Sequence, residues 1–306
     1  MNAADRESPF RRIARKVNPA ATLLRTWQLE GGVSAQVTAI EIGLPGGGTE
    51  KLVIREYSDI HIRADPNSAG HEFKLLEMAR AAGVPAPRPC LVDASGQILP
   101  RAYLVIALVE GEPVLDPPAD VTGVAQALAA VLARIHGIPP GAAPFLRNMY
   151  EVFSRRLAQA PATFDETLNE REIRAALAQA WPPAPRNAPV LLHGDFWPGN
   201  TLWHQGRLTA VIDWEDAGFG DPLADLANGR LEITMALGEE TTREFTRHYR
   251  ALMPSLDYTN LPQWDLCASL RLVGQMSSWG LAPARLKQLQ DGHRAFTRQA
   301  LDALAG

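Results

Sequence analysis

The 306-residue chain predicts an α+β fold of two lobes: a small antiparallel β lobe with one helix, then a larger, mostly helical lobe. Three observations point there. Apolar residues up to about Tyr57 recur at strand-like spacing between glycine-rich corners. The pattern turns helical from Ala69 to Ala82, and the chain after Pro222 reads mostly helical. Glu110-Gly111-Glu112-Pro113 and Asp116-Pro117-Pro118 form a turn-rich link, which sets the lobes at residues 1–110 and 111–306.

Leu23, Trp27 and Leu29 mark the first strand, Val33 to Ile42 the second and Lys51 to Tyr57 the third. Gly31-Gly32 and Leu44-Pro45-Gly46-Gly47-Gly48 turn the corners of this meander. In the helix that follows, Phe73, Leu76 and Ala79 share one side, and Gly83 stands where a cap is wanted. Val84-Pro85-Ala86-Pro87 breaks the chain, and Ala102 to Val109 is a short continuous apolar strand. Asp120 suits an N-cap, ahead of a stripe through Val121, Val124, Leu128, Leu132 and Ile135 that stops before Gly137. A charged helix is expected from about Asp165 to Ala180, then a proline-rich stretch, then short strands at Val190–Leu192 and Leu208–Ile212.

A hydrophobic share of 46% with 21% charged residues is ordinary for a globular protein. The net charge of −4 gives no electrostatic case for nucleic acid. The basic run Arg11, Arg12, Arg15, Lys16 is expected to be a solvated helix face. Cys90 and Cys267 stand far apart without metal-like spacing, which suits a reducing cytoplasm. No apolar leader begins the chain, and the longest apolar run, Tyr103 to Val109, is too short to cross a bilayer. A cytoplasmic location without a membrane or nucleic-acid partner is the resulting expectation.

The chemistry-bearing stretch is Leu191-Leu192-His193-Gly194-Asp195-Phe196-Trp197-Pro198-Gly199-Asn200, followed by Ile212-Asp213-Trp214. A strand delivers a His-x-Asp turn, an Asn lies five residues past that Asp, and a second strand ends on another Asp. Phosphoryl transfer needs a carboxylate to receive the acceptor's hydroxyl proton and hard oxygen ligands for Mg²⁺ on the nucleotide phosphates. Asp195 fits the base, and Asn200 with Asp213 fits the metal pair. Two polar turns would hold Asp and Asn by themselves, but not this ordered set behind two apolar strands.

These residues, together with Asp225-Leu226-Ala227, resemble the signature of the aminoglycoside phosphotransferase and choline kinase superfamily, small-molecule kinases with a protein-kinase-like fold. The resemblance covers most of the chain and weakens after about Tyr249. It implies transfer of the γ-phosphoryl group of ATP, with GTP as the alternative, to a hydroxyl of a small metabolite or antibiotic, with Mg²⁺. A neutral His193 is expected to hold the loop through backbone hydrogen bonds, and Asp225 resembles the family's supporting Asp, which ties the loop down from below. Gly31, Gly32 and Ser34 would form the phosphate turn, and no Walker string occurs. Where protein kinases carry Lys, Val53-Ile54-Arg55 supplies Arg, as in several branches of the superfamily, to be paired with Glu72. The alternation of Val53, Arg55 and Tyr57 equally suits an ordinary surface pair. By position, Ala107 to Glu110 resembles the segment whose backbone meets adenine, with Ala107 and Val109 as its contacts.

Substrate contacts leave less trace. Glu215 and Asp216 would attract a cation or simply be solvated, and Trp203, Trp214, Trp264 and Trp279 would wall an acceptor or simply pack. A protein kinase fits poorly, because only twelve positions separate Asp213 from Asp225 and no Asp-Phe-Gly occurs. A nucleotide-binding pseudokinase-like regulator is the alternative class; loss of the base or a metal ligand would mark it, and Asp195, Asn200 and Asp213 are all present.

Overall fold

The computed structural model of the chain describes residues 8–29, 35–139, 141 and 143–305. They fall into two compact units: residues up to Ala81 with Pro85–Glu110, and Ala82–Val84 with the chain from Gly111 onward.

The first unit is built on a five-stranded antiparallel sheet. Its strands are β1 (Thr22–Gln28), β2 (Ala35–Gly43), β3 (Thr49–Tyr57), β4 (Pro89–Asp93) and β5 (Tyr103–Ala107), in the order β1-β2-β3-β5-β4. Helices α1 (Pro9–Val17), α2 (Asp59–Ala64) and α3 (Ser68–Ala81) accompany it. Period-two alternation decides the two faces. Ile40, Ile42, Leu52, Ile54, Tyr103 and Val105 form one core with Ile13 and Ala14 of α1, each large aliphatic contributing about 1.5–3 kcal/mol of burial. The opposite face carries Val53, Arg55 and Tyr57 and is covered by α3. Three helices stand where the lobe was expected to carry one: α1 bears the basic run expected to be a helix face, and the six residues of α2 bury none of their side chains, so no apolar stripe marks it. The basic run on α1 is exposed as expected, and Lys16 Nζ bonds buried Asp93 Oδ2 at 2.7 Å. Strand β4 escaped the sequence reading because Pro87 and Pro89 disguise it, and Pro89 is tolerated at the first position of an edge strand.

The second unit is mostly helical: α4 (Val121–His136), α5 (Met149–Ala158), α6 (Glu170–Ala180), α7 (Leu223–Leu237), α8 (Glu239–Leu252), α9 (Leu261–Leu272) and α10 (Pro283–Ala305). Asp120 caps α4, its carboxylate accepting from Gly123 N at 2.8 Å. Helix α4 packs on α8, and α7 packs on α8, α9 and α10. Short β pieces are set into this helical body. β6 (Arg147–Asn148), β7 (Val190–Leu192) and β10 (Gly218–Gly220) form one small sheet, and β8 (Thr201–His204) with β9 (Arg207–Val211) form a hairpin. β6 and β10 are two- and three-residue pieces too short for a periodic signal. Helix α5 was also missed; its start is fixed by Asn148, whose side chain accepts from Tyr150 N at 3.0 Å. Among the described residues no helix is long and apolar enough to cross a membrane.

Candidate active site

The His193–Asn200 segment leaves β7 through a turn that only glycine can make. Gly194 has φ of +82°, and a Cβ there would lie 1.9 Å from the Asp216 carbonyl oxygen. The turn is held from beneath by Asp225 in the first turn of α7. Its Oδ2 accepts from His193 N at 2.6 Å and its Oδ1 from Gly194 N at 2.9 Å. His136 Nε2 stands 3.4 Å from the same Oδ2, and His136 Nδ1 meets the Tyr249 hydroxyl at 2.5 Å. Burial opposes the Asp225 charge, yet the His136 bond and the loop N–H groups hold its carboxyl below the usual carboxylate range. His193 is buried and also structural: its ring bonds the Ile212 carbonyl at 3.0 Å through Nε2, and its Nδ1 accepts from Asp195 N at 3.3 Å. The Nε2–H tautomer satisfies both contacts.

A hairpin brings the other two residues together. A single 3₁₀ turn over Pro198–Asn200 feeds β8, and β9 returns so that Ile212 N donates to Asn200 O at 2.9 Å. Asp213 therefore follows directly the residue paired with Asn200. It has φ of +65°, a left-handed conformation uncommon outside glycine and concentrated at functional sites. Asn200 Nδ2 donates to Asp195 Oδ2 at 3.1 Å and to the Asp195 carbonyl at 2.9 Å. With its NH₂ group turned to Asp195, the Asn200 amide oxygen is left to act as a hard donor. An amide oxygen and a carboxylate fit Mg²⁺, which takes one or two protein ligands and keeps waters and substrate phosphates for the rest. Among the described residues no cluster of three His, Cys, Asp or Glu forms an all-protein cage.

The sequence reading missed Arg271 on α9. Its Nη2 donates to Asp195 Oδ1 at 2.9 Å, while Nη1 donates to Gly194 O at 2.7 Å and Asn228 Oδ1 at 2.9 Å. Asn228 in turn donates to Phe196 O at 3.1 Å, so one guanidinium fixes both the Asp195 carboxylate and its loop. A lone Arg in the run Leu266-Cys267-Ala268-Ser269-Leu270-Arg271-Leu272 was the available signal. Burial raises the Asp195 pKa, helped by the charges of Asp216 and Asp213 and opposed by Arg271 and His193. Glu232, one turn past Asn228, is pushed up to about 8 by burial and by the Asp195 charge, with Arg271 opposing. Asp216 pairs with Arg147 at 2.8 Å; despite burial this bond keeps its carboxyl low.

In the first unit, Arg55 and Glu72 meet. Arg55 Nη1 lies 2.6 Å from Glu72 Oε1, and the Tyr57 hydroxyl donates to Glu72 Oε2. Arg55 is 9% and Glu72 3% exposed. The surface-pair alternative is thus corrected: α3 covers that face of the sheet. Ala107 and Leu108 spend their N–H groups on Arg88 O at 2.8 Å and Lys51 O at 2.9 Å, whereas Val109 enters no backbone pairing among the described residues. The expected phosphate turn at Gly31, Gly32 and Ser34 lies outside the described residues. Three of the four tryptophans pack: Trp214 is buried beside His193, ring centroids 4.8 Å apart, Trp264 is buried among Tyr150, Phe153 and Trp181, and Trp203 is buried with its Nε1 donating to Thr201 Oγ1 at 3.0 Å. Trp279 is exposed.

Comparison with known proteins agrees with this architecture. A candidate aminoglycoside phosphotransferase from Ralstonia eutropha JMP134 superposes with a TM-score of 0.69 at 16% identity, over 97% of each chain. An amicoumacin kinase in complex with AMP-PNP, Ca²⁺ and Ami superposes with a TM-score of 0.62 at 18% identity, over 92% of this chain and 89% of that one. At these identities the likeness shows a shared kinase-like fold. In sequence, the chain is 30% identical over 156 residues to hygromycin-B 4-O-kinase of Escherichia coli, covering 47% of this chain and 46% of that protein. It is 27% identical over 199 residues to acyl-CoA dehydrogenase family member 11 of Gallus gallus, covering 59% of this chain and 25% of that protein. The chain thus spans about a quarter to a half of the length of these relatives. The model of the Phosphotransferase enzyme family matches residues 28–259, and the chain belongs to that family.

Proposed function

We propose that the protein is a kinase that transfers the γ-phosphoryl group of ATP, or of GTP, to a hydroxyl of a small molecule with Mg²⁺ present. Residues 1–110 serve as the nucleotide-binding lobe, with Arg55 and Glu72 and the backbone at Ala107 and Val109 as contacts beside Gly31, Gly32 and Ser34. Residues 111–306 serve as the catalytic and acceptor-binding lobe. Asn200 and Asp213 hold the metal, which when bound neutralises charge on the phosphates.

The observation that carries this reading is the Asp195 carboxylate, fixed by Arg271 on one oxygen and Asn200 on the other, one hairpin from Asp213. Asp195 orients the acceptor O–H and takes its proton as the new oxygen–phosphorus bond forms and the bond to the leaving β-phosphate oxygen breaks. Fixing the carboxylate beforehand removes reorganisation from that step. The names of similar proteins, hygromycin-B 4-O-kinase among them, support a small-molecule acceptor, and the AMP-PNP of the amicoumacin kinase complex supports an adenine nucleotide.

The test is thermal unfolding with and without millimolar Mg²⁺–ATP or Mg²⁺–GTP, followed by acceptor-stimulated ADP or GDP release over a panel of hydroxyl compounds. Binding to the native state alone raises Tm by mass action. A Tm unmoved by either nucleotide contradicts the kinase reading.

A further inference from the structure

We propose that the acceptor of this reaction carries an oxyanion, which Arg156 binds in a cavity that shares Arg271 with the Asp195 site. The proposal rests on the kinase reading and goes on to name the substrate class. The cavity has a volume of about 330 Å³, within the range of small-molecule sites, and Arg156, Asp165, Glu170, Arg174 and Arg271 are among its lining.

Charge decides what it takes. Asp165 is committed to the chain, accepting from Thr167 N and Gly274 N, both at 3.0 Å. Glu170 pairs with Arg174 Nε at 2.8 Å and accepts from Asp165 N at 2.8 Å. Arg174 also donates to Leu157 O at 2.9 Å. Arg271 is committed to Asp195, Gly194 and Asn228. That leaves Arg156, half-buried beside Arg271, whose guanidinium makes no ion pair or hydrogen bond among the described residues. Burial and the Arg271 charge both weaken its hold on its proton, with Asp216 opposing. Asp216 itself is taken by Arg147. A guanidinium kept half out of water beside a second one, without a counterion, is unfavourable unless an anion arrives.

The opposite ligand is poorly served. Polycationic acceptors would want free carboxylates, but on this wall Glu170 is paired with Arg174 and both oxygens of Asp165 are taken by chain N–H groups, and Glu232 near Asp195 is held largely protonated at neutral pH. The acceptor so proposed is a hydroxy acid whose carboxylate forks onto Arg156 and whose hydroxyl is presented to Asp195, with Arg271, which lines the cavity and bonds Asp195, common to both anchors. In the reaction the hydroxyl gives its proton to Asp195, gains the phosphoryl group, and ADP leaves; the oxyanion is unchanged. A guanidinium takes carboxylate and phosphate with the same geometry, so the test carries both.

The experiment measures ADP release with Mg²⁺–ATP for short hydroxy acids, their methyl esters, sugar phosphates, amino alcohols and aminoglycosides, with wild type, Arg156→Gln and Arg156→Lys. Turnover of hydroxy acids or of sugar phosphates supports the proposal and names the oxyanion. The neutral esters should be at least about tenfold poorer in kcat/KM than their acids, the value of one charge-assisted bond. Arg156→Gln should raise KM for the anionic acceptor by about tenfold or more with kcat little changed, and Arg156→Lys should recover part of it. Equal use of acids and esters, preference for a cationic acceptor, an unchanged KM in Arg156→Gln, or no turnover of any acid or phosphate overturns it. In that last case, retained stabilisation by Mg²⁺–ATP leaves the kinase reading standing, and its loss removes both.

Discussion

Two arginine–carboxylate pairs, one in each unit, are built to different ends. Arg55 and Glu72 sit between a sheet face and the helix covering it, their side chains 11% and 3% exposed. Arg271 and Asp195 keep 17% and 32%, and the Asp195 carboxylate remains open to a reacting molecule. A buried pair holds structure because removing one partner strands a charge where water cannot reach it. A partly open pair can hold a group in place and still let it react. Burial therefore separates the closed pair from the open one more clearly than the bond lengths, 2.6 Å and 2.9 Å, which are nearly alike.

The sharpest way to break that contrast is to remove each arginine. Arg55→Ala removes the guanidinium that meets the buried Glu72 carboxylate, so it should lower unfolding stability by about 3–5 kcal/mol, measured by urea denaturation. A loss below about 1 kcal/mol would mean the pair behaves as a surface bridge. Arg271→Ala strips a more open pair and two loop contacts. It should cost about 1–3 kcal/mol of stability yet reduce kcat by at least about tenfold, with the nucleotide-induced Tm shift preserved and Arg271→Lys intermediate. Stability lost with full kcat would make Arg271 a scaffold residue.

A smaller effect concerns Glu232, which shares the Asp195 and Arg271 neighbourhood. Its folded pKa of about 8 lies above the ordinary 4.5, so the native state binds the extra proton, and stability falls as pH rises between those values. Glu232→Gln should match wild type near pH 4 and exceed it by about 1 kcal/mol above pH 8, a figure discounted for partial exposure. Parallel Tm–pH curves for the two proteins would place Glu232 in water, away from Asp195.

The same contrast explains what the sequence discloses. His193, Gly194, Asp195, Asn200 and Asp213 are legible because one strand, one turn and one hairpin hold them at fixed spacing. Asp225 is legible only through the family resemblance, because its tie to His193 N and Gly194 N spans 32 and 31 positions. Arg271 reaches Asp195 across 76 positions, through the packing of α9 on α7, and no local pattern records that. Trp264 was ambiguous as an acceptor wall because burial by Trp181 and Phe153 is likewise a long-range fact. In the first unit the meander follows from alternation and glycine corners, whereas β4 behind its prolines and the cover of α3 over Arg55 depend on tertiary packing.

The central claim is that Asp195 accepts the proton of the acceptor hydroxyl while Asn200 and Asp213 serve the metal. The direct measurement is single-turnover phosphoryl transfer to an identified acceptor by wild type, Asp195→Asn and Asp213→Asn, each titrated with Mg²⁺ at saturating nucleotide. Asp195→Asn should keep its fold and its Mg²⁺–nucleotide binding and lose about 10²–10⁴-fold in rate at an unchanged Mg²⁺ midpoint. Asp213→Asn should shift that midpoint upward along with its loss of rate. Asp195→Asn transferring phosphate at near wild-type speed would contradict the account.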